Sequence, residues 1–224
     1  GNIQSTMIEQ TLDRLDGFIP PQRRMIVTHI SQAEQTQSIV KNKVAKIIAE
    51  PDAKNTANAL ALASLEIEAG HQDTSAKPIM VSLHADHLIG SVEKFKSCLE
   101  DAIRIAETGD ICLIGIDPEY PETGYGYIQA GEPVADIPNA FKVKAFKEKP
   151  DLETAKTYLN AGAYKWNSGL FVWQTSTILQ ELDQFEPENM KALRSLLADS
   201  SSFNEVNQQL FNQTYSTLKS ISID

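Results

Sequence analysis

The chain has 224 residues, enough for one large α/β domain or two small ones, and its 42% hydrophobic and 7% aromatic content is that of a chain that builds a core rather than a disordered one. Thirty Asp and Glu against 20 Lys and Arg leave a formal charge of −10, a field that repels a polyanion and argues against a nucleic-acid polymer as partner. Two cysteines are too few for a disulfide scaffold, no apolar run reaches the ~18 residues of a membrane span and no charged-then-apolar leader opens the chain, so a soluble cytoplasmic protein is expected.

Ile8, Leu12 and Leu15 recur at helical spacing before Gly17 and Pro20-Pro21, which predicts an opening helix. Met25 to Ile30 reads as a strand, Ser31 with Glu34 as a capping box that starts the next helix, and Val44 to Ile48 as a second strand. Beyond Glu50-Pro51, the spacing of Leu60, Ala61 and Leu65 predicts a helix from about Thr56 to Ala69, stopped by Gly70. Pro78 to Leu83 is a nearly continuous apolar run, as in a strand covered on both faces, and the polar loop His84-Ala85-Asp86-His87 follows it. A helix through Phe95, Cys98, Leu99, Ala102 and Ala106 ends at Gly109, and Ile111 to Ile116 returns to strand. This alternation predicts a parallel sheet wound with helices on both sides, whose ligands sit beyond the carboxyl ends of its strands.

From Pro118 onward, Pro/Gly-rich turns and short strands at Tyr125 to Ala130 and Phe141 to Phe146 read as a meander. A helix from Asp151 to about Asn160, a strand at Leu170 to Trp173, helical patterns between Thr177 and Leu197 and a Ser-rich loop from Asp199 to Asn204 complete the pattern. Residues 1–224 form one domain that starts on a helix and stops just after Ile221-Ser222-Ile223, so it is expected to be incomplete at both ends.

Four segments carry groups suited to chemistry. Asp86, placed where a strand ends, can hold a hard divalent cation or cap a helix, and its flanking histidines also admit a transition metal. Thr123-Gly124-Tyr125-Gly126-Tyr127-Ile128 lets a backbone approach a ligand beside aromatics that could lie on a sugar face, or is a turn with two core tyrosines. Phe146-Lys147-Glu148-Lys149-Pro150 sets a hydroxyl acceptor beside a phosphate-binding cation, or is a surface charge cluster. Trp166-Asn167-Ser168-Gly169 offers an amide on a Gly-flanked turn, or is an ordinary turn.

Taken together these segments resemble the mannose-1-phosphate guanylyltransferases. Glu9 to Leu15 resembles that family's opening helix and Ile26-Val27-Thr28 its next strand. Glu50 to Ala57 is similar to Glu-Pro-x-x-Arg-Asn-Thr-Ala with Lys54 in place of arginine, and Leu83 to His87 to Pro-Ala-Asp-His with His84 in place of proline. Gly124 to Ile128, Glu148-Lys149-Pro150, Trp166 to Gly169 and Ser222-Ile223-Asp224 match without substitution.

The resemblance implies a Rossmann-like wound mixed sheet of the sugar nucleotidyltransferase type with a short meander insertion. It also implies transfer of GMP from GTP to mannose 1-phosphate, giving GDP-mannose and pyrophosphate. Asp86 and Asp224 would hold Mg²⁺, with Lys149 meeting the sugar phosphate and joining them as catalytic residues. Glu148 and Asn167 would bind mannose hydroxyls, and Gly124 and Gly126 would pass close to the sugar. Glu50, Asn55, Thr56 and Ala85 would line the guanine side. The family is also expected to carry a strand and a Gly-rich, Arg- and Lys-containing loop ahead of residue 1, which makes the parent protein rather than this segment the enzyme. Two other readings are a non-catalytic sugar-nucleotide binding module and a transferase for another nucleotide or sugar 1-phosphate. GTP and mannose 1-phosphate are the expected partners, no membrane is, and a homodimer is left open.

Overall fold

The computed structural model describes residues 5–71, 73 and 75–224. Helix α1 (Met7–Arg14) opens on a capping box, in which Thr6 accepts from the Glu9 amide while the Glu9 carboxylate accepts from the Thr6 amide. A 3₁₀ turn at Pro21–Arg23 leads into β1 (Met25–His29), α2 (Ile30–Val40), β2 (Lys46–Glu50) and α3 (Asn55–Gly70). Strands β1 and β2 pair in parallel, from Met25 opposite Lys46 to His29 opposite Glu50. Ser31 and Glu34 do not form the expected capping box: His29 caps α2, its Nδ1 accepting from the Ser31 amide at 3.2 Å. The helix starts two residues earlier than a Ser31 cap would set it, which leaves Ser31 inside its first turn.

Next come β3 (Ile79–Ser82), α4 (Val92–Ala106), β4 (Cys112–Ile116), β5 (Tyr127–Pro133), β6 (Phe141–Lys147), α5 (Leu152–Ala161) and β7 (Tyr164–Gln174). Helices α6 (Thr175–Phe185) and α7 (Pro187–Leu196), a 3₁₀ turn at Phe203–Glu205 and α8 (Gln208–Ser216) follow. Strand β7 runs 11 residues, far beyond the Leu170 to Trp173 core that its apolar run marks, because its first half alternates polar and aromatic residues.

The two sheets differ from the all-parallel expectation. Among the described residues only β1 and β2 pair in parallel. In the five-stranded sheet every pairing is antiparallel, with β7 at its centre: Val172 lies opposite both Val81 of β3 and Cys112 of β4, and Trp166 opposite both Ile116 of β4 and Tyr127 of β5. β3 and β4 therefore run parallel to each other with α4 as their crossover, as the β-α-β alternation predicts, but β7 inserts between them from the far end of the chain. The result is a mixed α/β sheet with β5 and β6 as the meander.

Alternate residues of β7 point to opposite faces, and both faces are covered. Phe171 and Trp173 join Met80, Ile48 and the buried sides of α3, α6, α7 and α8 in one core that also takes in Met25 and Val27 of the parallel pair. Val172 meets Leu99, Ala102 and Ala106 of α4 on the other side. A third cluster, Tyr127, Ala155 and Trp166, seats α5 against the meander. Among the described residues no helix is long and apolar enough to cross a membrane.

Candidate active site

Gly126 is where β5, β6 and β7 converge. A Cβ there would lie 2.7 Å from Glu148 Oε2, 2.8 Å from Phe146 Cζ and 3.4 Å from Asn167 Cβ, so only glycine leaves room for all three. The Gly126 carbonyl accepts from the Asn167 amide at 2.8 Å, which ties the glycine loop to β7. Gly124 donates to Glu122 Oε1 at 2.8 Å. The two tyrosines divide between the alternatives that the sequence leaves open. Tyr127 is fully buried and donates to the Glu122 carbonyl, whereas Tyr125 is 46% exposed and meets Trp166 edge-on with centroids 5.4 Å apart.

Glu148 and Lys149 follow the end of β6. Lys149 has a φ of +42°, a left-handed conformation that is uncommon for a side-chain-bearing residue, and its Nζ pairs with Glu148 Oε1 at 2.8 Å. That hydrogen bond, then the Glu148 charge and more weakly Asp224, raise the Lys149 pKa and keep the ammonium charged. Asn167 donates from Nδ2 to Asp224 Oδ1 at 2.5 Å and accepts from the Gly169 amide at 3.1 Å. Glu148, Lys149, Asn167, Gly126 and Asp224 thus form one neighbourhood, and Gly124 stands two residues from it.

The chain's last described residues link this neighbourhood to the start of α3. Ser222 donates to Asp224 Oδ2 at 3.0 Å and accepts from the Asp224 amide at 3.3 Å, a short turn that fixes the carboxylate. Thr56 Oγ1 accepts from the Ile223 amide at 3.0 Å and stands 3.5 Å from Ser222 Oγ. On either side, the Ile221 amide donates to the Lys54 carbonyl at 3.2 Å and the Ala57 amide to the Ile221 carbonyl at 3.1 Å. Asn55, at φ +66°, turns its Oδ1 onto the Thr56 amide. Lys54 donates to the Ser216 carbonyl at 2.8 Å and pairs with Asp52 at 3.3 Å, so the amine that replaces arginine is engaged within the protein.

Glu50 ends β2, and its carboxylate accepts from the Tyr215 hydroxyl. Burial pushes the Glu50 pKa up against the opposing effects of that hydrogen bond and of His29. Tyr215 is pushed above the usual phenol range, first by burial and then by the same carboxylate. Tyr215 lies on α8, an element that the sequence reading lacked, and nothing in the Glu50-Pro51 motif pointed to it.

Asp86 occupies the turn after β3, exposed and without a hydrogen bond or ion pair among the described residues. Ala85 is exposed beside it, with its carbonyl accepting from Thr11 Oγ1 at 3.3 Å. The turn is not a helix N-cap, since α4 is capped by Ser91. His84 lies over Gly169: at φ +70°, a Cβ on that glycine would be 2.6 Å from His84 Nε2. The ring that replaces proline therefore connects the Asp86 turn to the Asn167 motif. The His84 and His87 rings are 5.3 Å apart, and burial first, then His84, lowers the His87 pKa, with Asp86 opposing and Arg14 adding to the fall.

This arrangement places a cation, hydroxyl acceptors and two carboxylates around a glycine-lined backbone, which suits binding of a sugar phosphate next to a second anionic reactant. The model of the nucleotidyl transferase family matches residues 3–211. The chain belongs to that family. The nucleotidyl transferase chain is similar to the mannose-1-phosphate guanylyltransferase of Salmonella typhimurium, at 40% identity over 197 residues covering 84% of this chain and 39% of that protein. Its identity to the Escherichia coli K12 mannose-1-phosphate guanylyltransferase is 37% over 203 residues, 86% of this chain and 41% of the relative. It thus spans about two fifths of the length of these relatives. Among solved structures, a Thermus thermophilus protein described as a mannose-1-phosphate geranyltransferase superposes with a TM-score of 0.83 at 29% identity, over 97% of this chain and 59% of that one. A Helicobacter pylori protein described as a mannose-6-phosphate isomerase gives 0.78 at 25% identity, over 97% and 83%. The resemblance drawn from the sequence motifs is the relationship found.

Proposed function

We propose that the full-length protein transfers GMP from GTP to mannose 1-phosphate, and that this chain carries the sugar-phosphate half of the site together with part of the nucleotide half. The observation that carries the reading is the convergence of Gly126, Glu148, Lys149 and Asn167 on Asp224, with Asp224 strapped to the start of α3 through Ser222 and Thr56. The names of the relatives supply the reaction class and the sugar.

In this reaction a phosphate oxygen of mannose 1-phosphate attacks the α-phosphorus of GTP. A new P–O bond forms, the bond between the α-phosphorus and its bridging oxygen breaks, and pyrophosphate leaves with the electron pair. Displacements of this kind depend on in-line positioning and charge neutralisation. Lys149 supplies positive charge to the sugar phosphate from beside Glu148, which in turn accepts sugar hydroxyls. The Asn167 amide, anchored at one end by the Gly169 amide, orients a further hydroxyl. Gly126 lets the sugar approach the backbone, and Thr56 with Asn55 presents the α3 start to the nucleotide. Glu50 acts from behind by fixing the end of β2, because its carboxylate is taken up by Tyr215.

Asp86 and Asp224 suit Mg²⁺, an ion held by one or two carboxylates with substrate phosphates and water completing its shell. Each Asp224 oxygen accepts one hydrogen bond and keeps further lone pairs, and Asp86 is unencumbered. When bound, the ion would neutralise charge on the reacting phosphates. Among the described residues no group of three or more His, Cys, Asp or Glu could hold a metal.

The test is pyrophosphate release by the full-length protein across a matrix of nucleoside triphosphates and sugar 1-phosphates. GTP with mannose 1-phosphate should turn over best, and Asp86→Asn should lower that rate by roughly two orders of magnitude with the fold intact. Preference for another nucleotide or sugar would replace the substrate assignment, and absence of turnover with every pair would leave a binding module.

A further inference from the structure

The exposed turn that carries Asp86 has no secondary structure of its own, yet its backbone is held from α1. Thr11 and Arg14 are three residues apart and therefore share one face of that helix. Thr11 is buried, and its Oγ1 donates to the Ala85 carbonyl at 3.3 Å. Arg14 donates from Nη2 to the His87 carbonyl at 2.8 Å and from Nη1 to Thr11 Oγ1 at 3.3 Å. The two carbonyls belong to the residues immediately before and after Asp86. One guanidinium thus holds both sides of the turn, directly at His87 and through the Thr11 hydroxyl at Ala85. The planar fork of arginine can serve two acceptors at once in fixed geometry.

We propose that Arg14 and Thr11 are positioning residues for Asp86: by fixing the carbonyls on both sides of it they set the direction in which its carboxylate projects during nucleotidyl transfer. The proposal rests on the reading of Asp86 as a carboxylate of the reaction. It also separates two kinds of contact made by α1. Leu12 and Leu15 bury that helix, whereas Thr11 and Arg14 address the turn. A residue that merely held α1 in place would lower stability without changing what Asp86 does.

Full-length protein with Arg14→Met, Arg14→Lys, Thr11→Val, Asp86→Asn and the double variant Arg14→Met/Asp86→Asn provides the test. Three quantities are measured: turnover against Mg²⁺ concentration, amide hydrogen exchange at residues 84–88 in the nucleotide- and metal-free protein, and thermal melting. Loss of hydrogen bonds from a charged donor should speed exchange in the turn about tenfold, raise half-saturating Mg²⁺ and lower kcat by similar factors in Arg14→Met. Arg14→Lys, which keeps the charge but not the fork, should recover part of each. Thr11→Val should move all three in the same direction by a few-fold, and this nearly isosteric change keeps the test usable if Arg14→Met folds poorly. Residues that act through one another are non-additive, so the double variant should turn over within a factor of about two of Asp86→Asn alone. Additive losses in the double variant, or faster exchange with unchanged kcat and Mg²⁺ dependence, would overturn the proposal. Wild-type turnover in Asp86→Asn would remove the reading of Asp86 and the positioning role with it, and it is recognised separately because the exchange effect of Arg14→Met would persist.

Discussion

The two halves of the site are built in different ways. Around Gly126 the residues proposed to bind the sugar come from three adjoining strands, and sheet register brings them together: Tyr127 faces both Lys147 and Trp166, which puts Gly126, Glu148 and Asn167 one step further along each strand on neighbouring positions. Around Thr56 the proposed nucleotide side depends on a short extended strap whose partners lie 166 and 167 residues away along the chain. Register is enforced by every pairing in a sheet, since a one-residue slip would turn all the side chains to the wrong face. A strap has only its own few hydrogen bonds. The sugar side should therefore be rigid and sensitive to volume, and the strap side should be softer and sensitive to the loss of single polar groups.

The largest effect is expected at Gly126. Gly126→Ala places a methyl group on Glu148 Oε2 and Phe146 Cζ, the mobile ends of their side chains, so the fold adapts by moving Glu148 away. Displacement of a positioned group by about 1 Å can cost about 100-fold, and kcat/KM for mannose 1-phosphate in the full-length protein should fall by about that factor while the melting temperature changes little. Retained kcat/KM would show that the sugar side is not rigid.

Lys149→Ala comes next. Hydrogen bonds to charged groups are worth roughly 1.5 to 3 kcal/mol, so affinity for mannose 1-phosphate should drop about 10- to 100-fold while that for free mannose hardly changes. Asn167→Ala should instead cost only a few-fold and erode discrimination among sugar 1-phosphates. Calorimetric titration of both variants separates the two patterns, and equal losses for phosphate and free sugar would remove Lys149 from the phosphate.

On the strap side, Thr56→Val removes the acceptor of the Ile223 amide and the neighbour of Ser222. A neutral hydrogen bond contributes about 1 kcal/mol, so turnover should fall a few-fold, with faster amide exchange at 221–224 and recovery in Thr56→Ser. Slow exchange there in Thr56→Val would show that the strap is held by its backbone pairs with Lys54 and Ala57 alone.

The smallest effect concerns pH. Burial raises the folded pKa of Glu50 above its ordinary value near 4.5, so the stability it contributes is fully present below that value and is lost as pH rises through the folded pKa. Glutamine keeps an acceptor for Tyr215 and does not titrate. The melting temperature of Glu50→Gln relative to wild type should therefore increase as pH is raised from about 5 to 8. A constant difference across that range would mean that Glu50 is charged in the fold at no cost.

The contrast between the halves also explains what could be read in the sequence. Short local motifs were legible there: Gly124 to Ile128, Glu148-Lys149 and Asn167 stand out by residue type, and sheet register brings them together. The Asp86 turn was legible as a carboxylate at a strand end, but its grip by Thr11 and Arg14 was not, because those residues read only as the polar side of an amphipathic helix. Tyr215, the partner of Glu50, lay on a helix whose apolar residues are too few to set a clear period.

By itself the sequence determined the order and kind of most elements and the two-faced burial of the central strands, because periodicity is a local property. The tertiary structure alone decided that β7 inserts antiparallel between β3 and β4, that the parallel pairing stops at β1 and β2, and that His29 rather than Ser31 caps α2. It alone also laid Ile221 to Asp224 across the start of α3 to reach Asn167. Strand partners and long-range polar contacts are chosen by the joint burial and hydrogen bonding of segments far apart in the chain, and no window of sequence contains both members of such a pair.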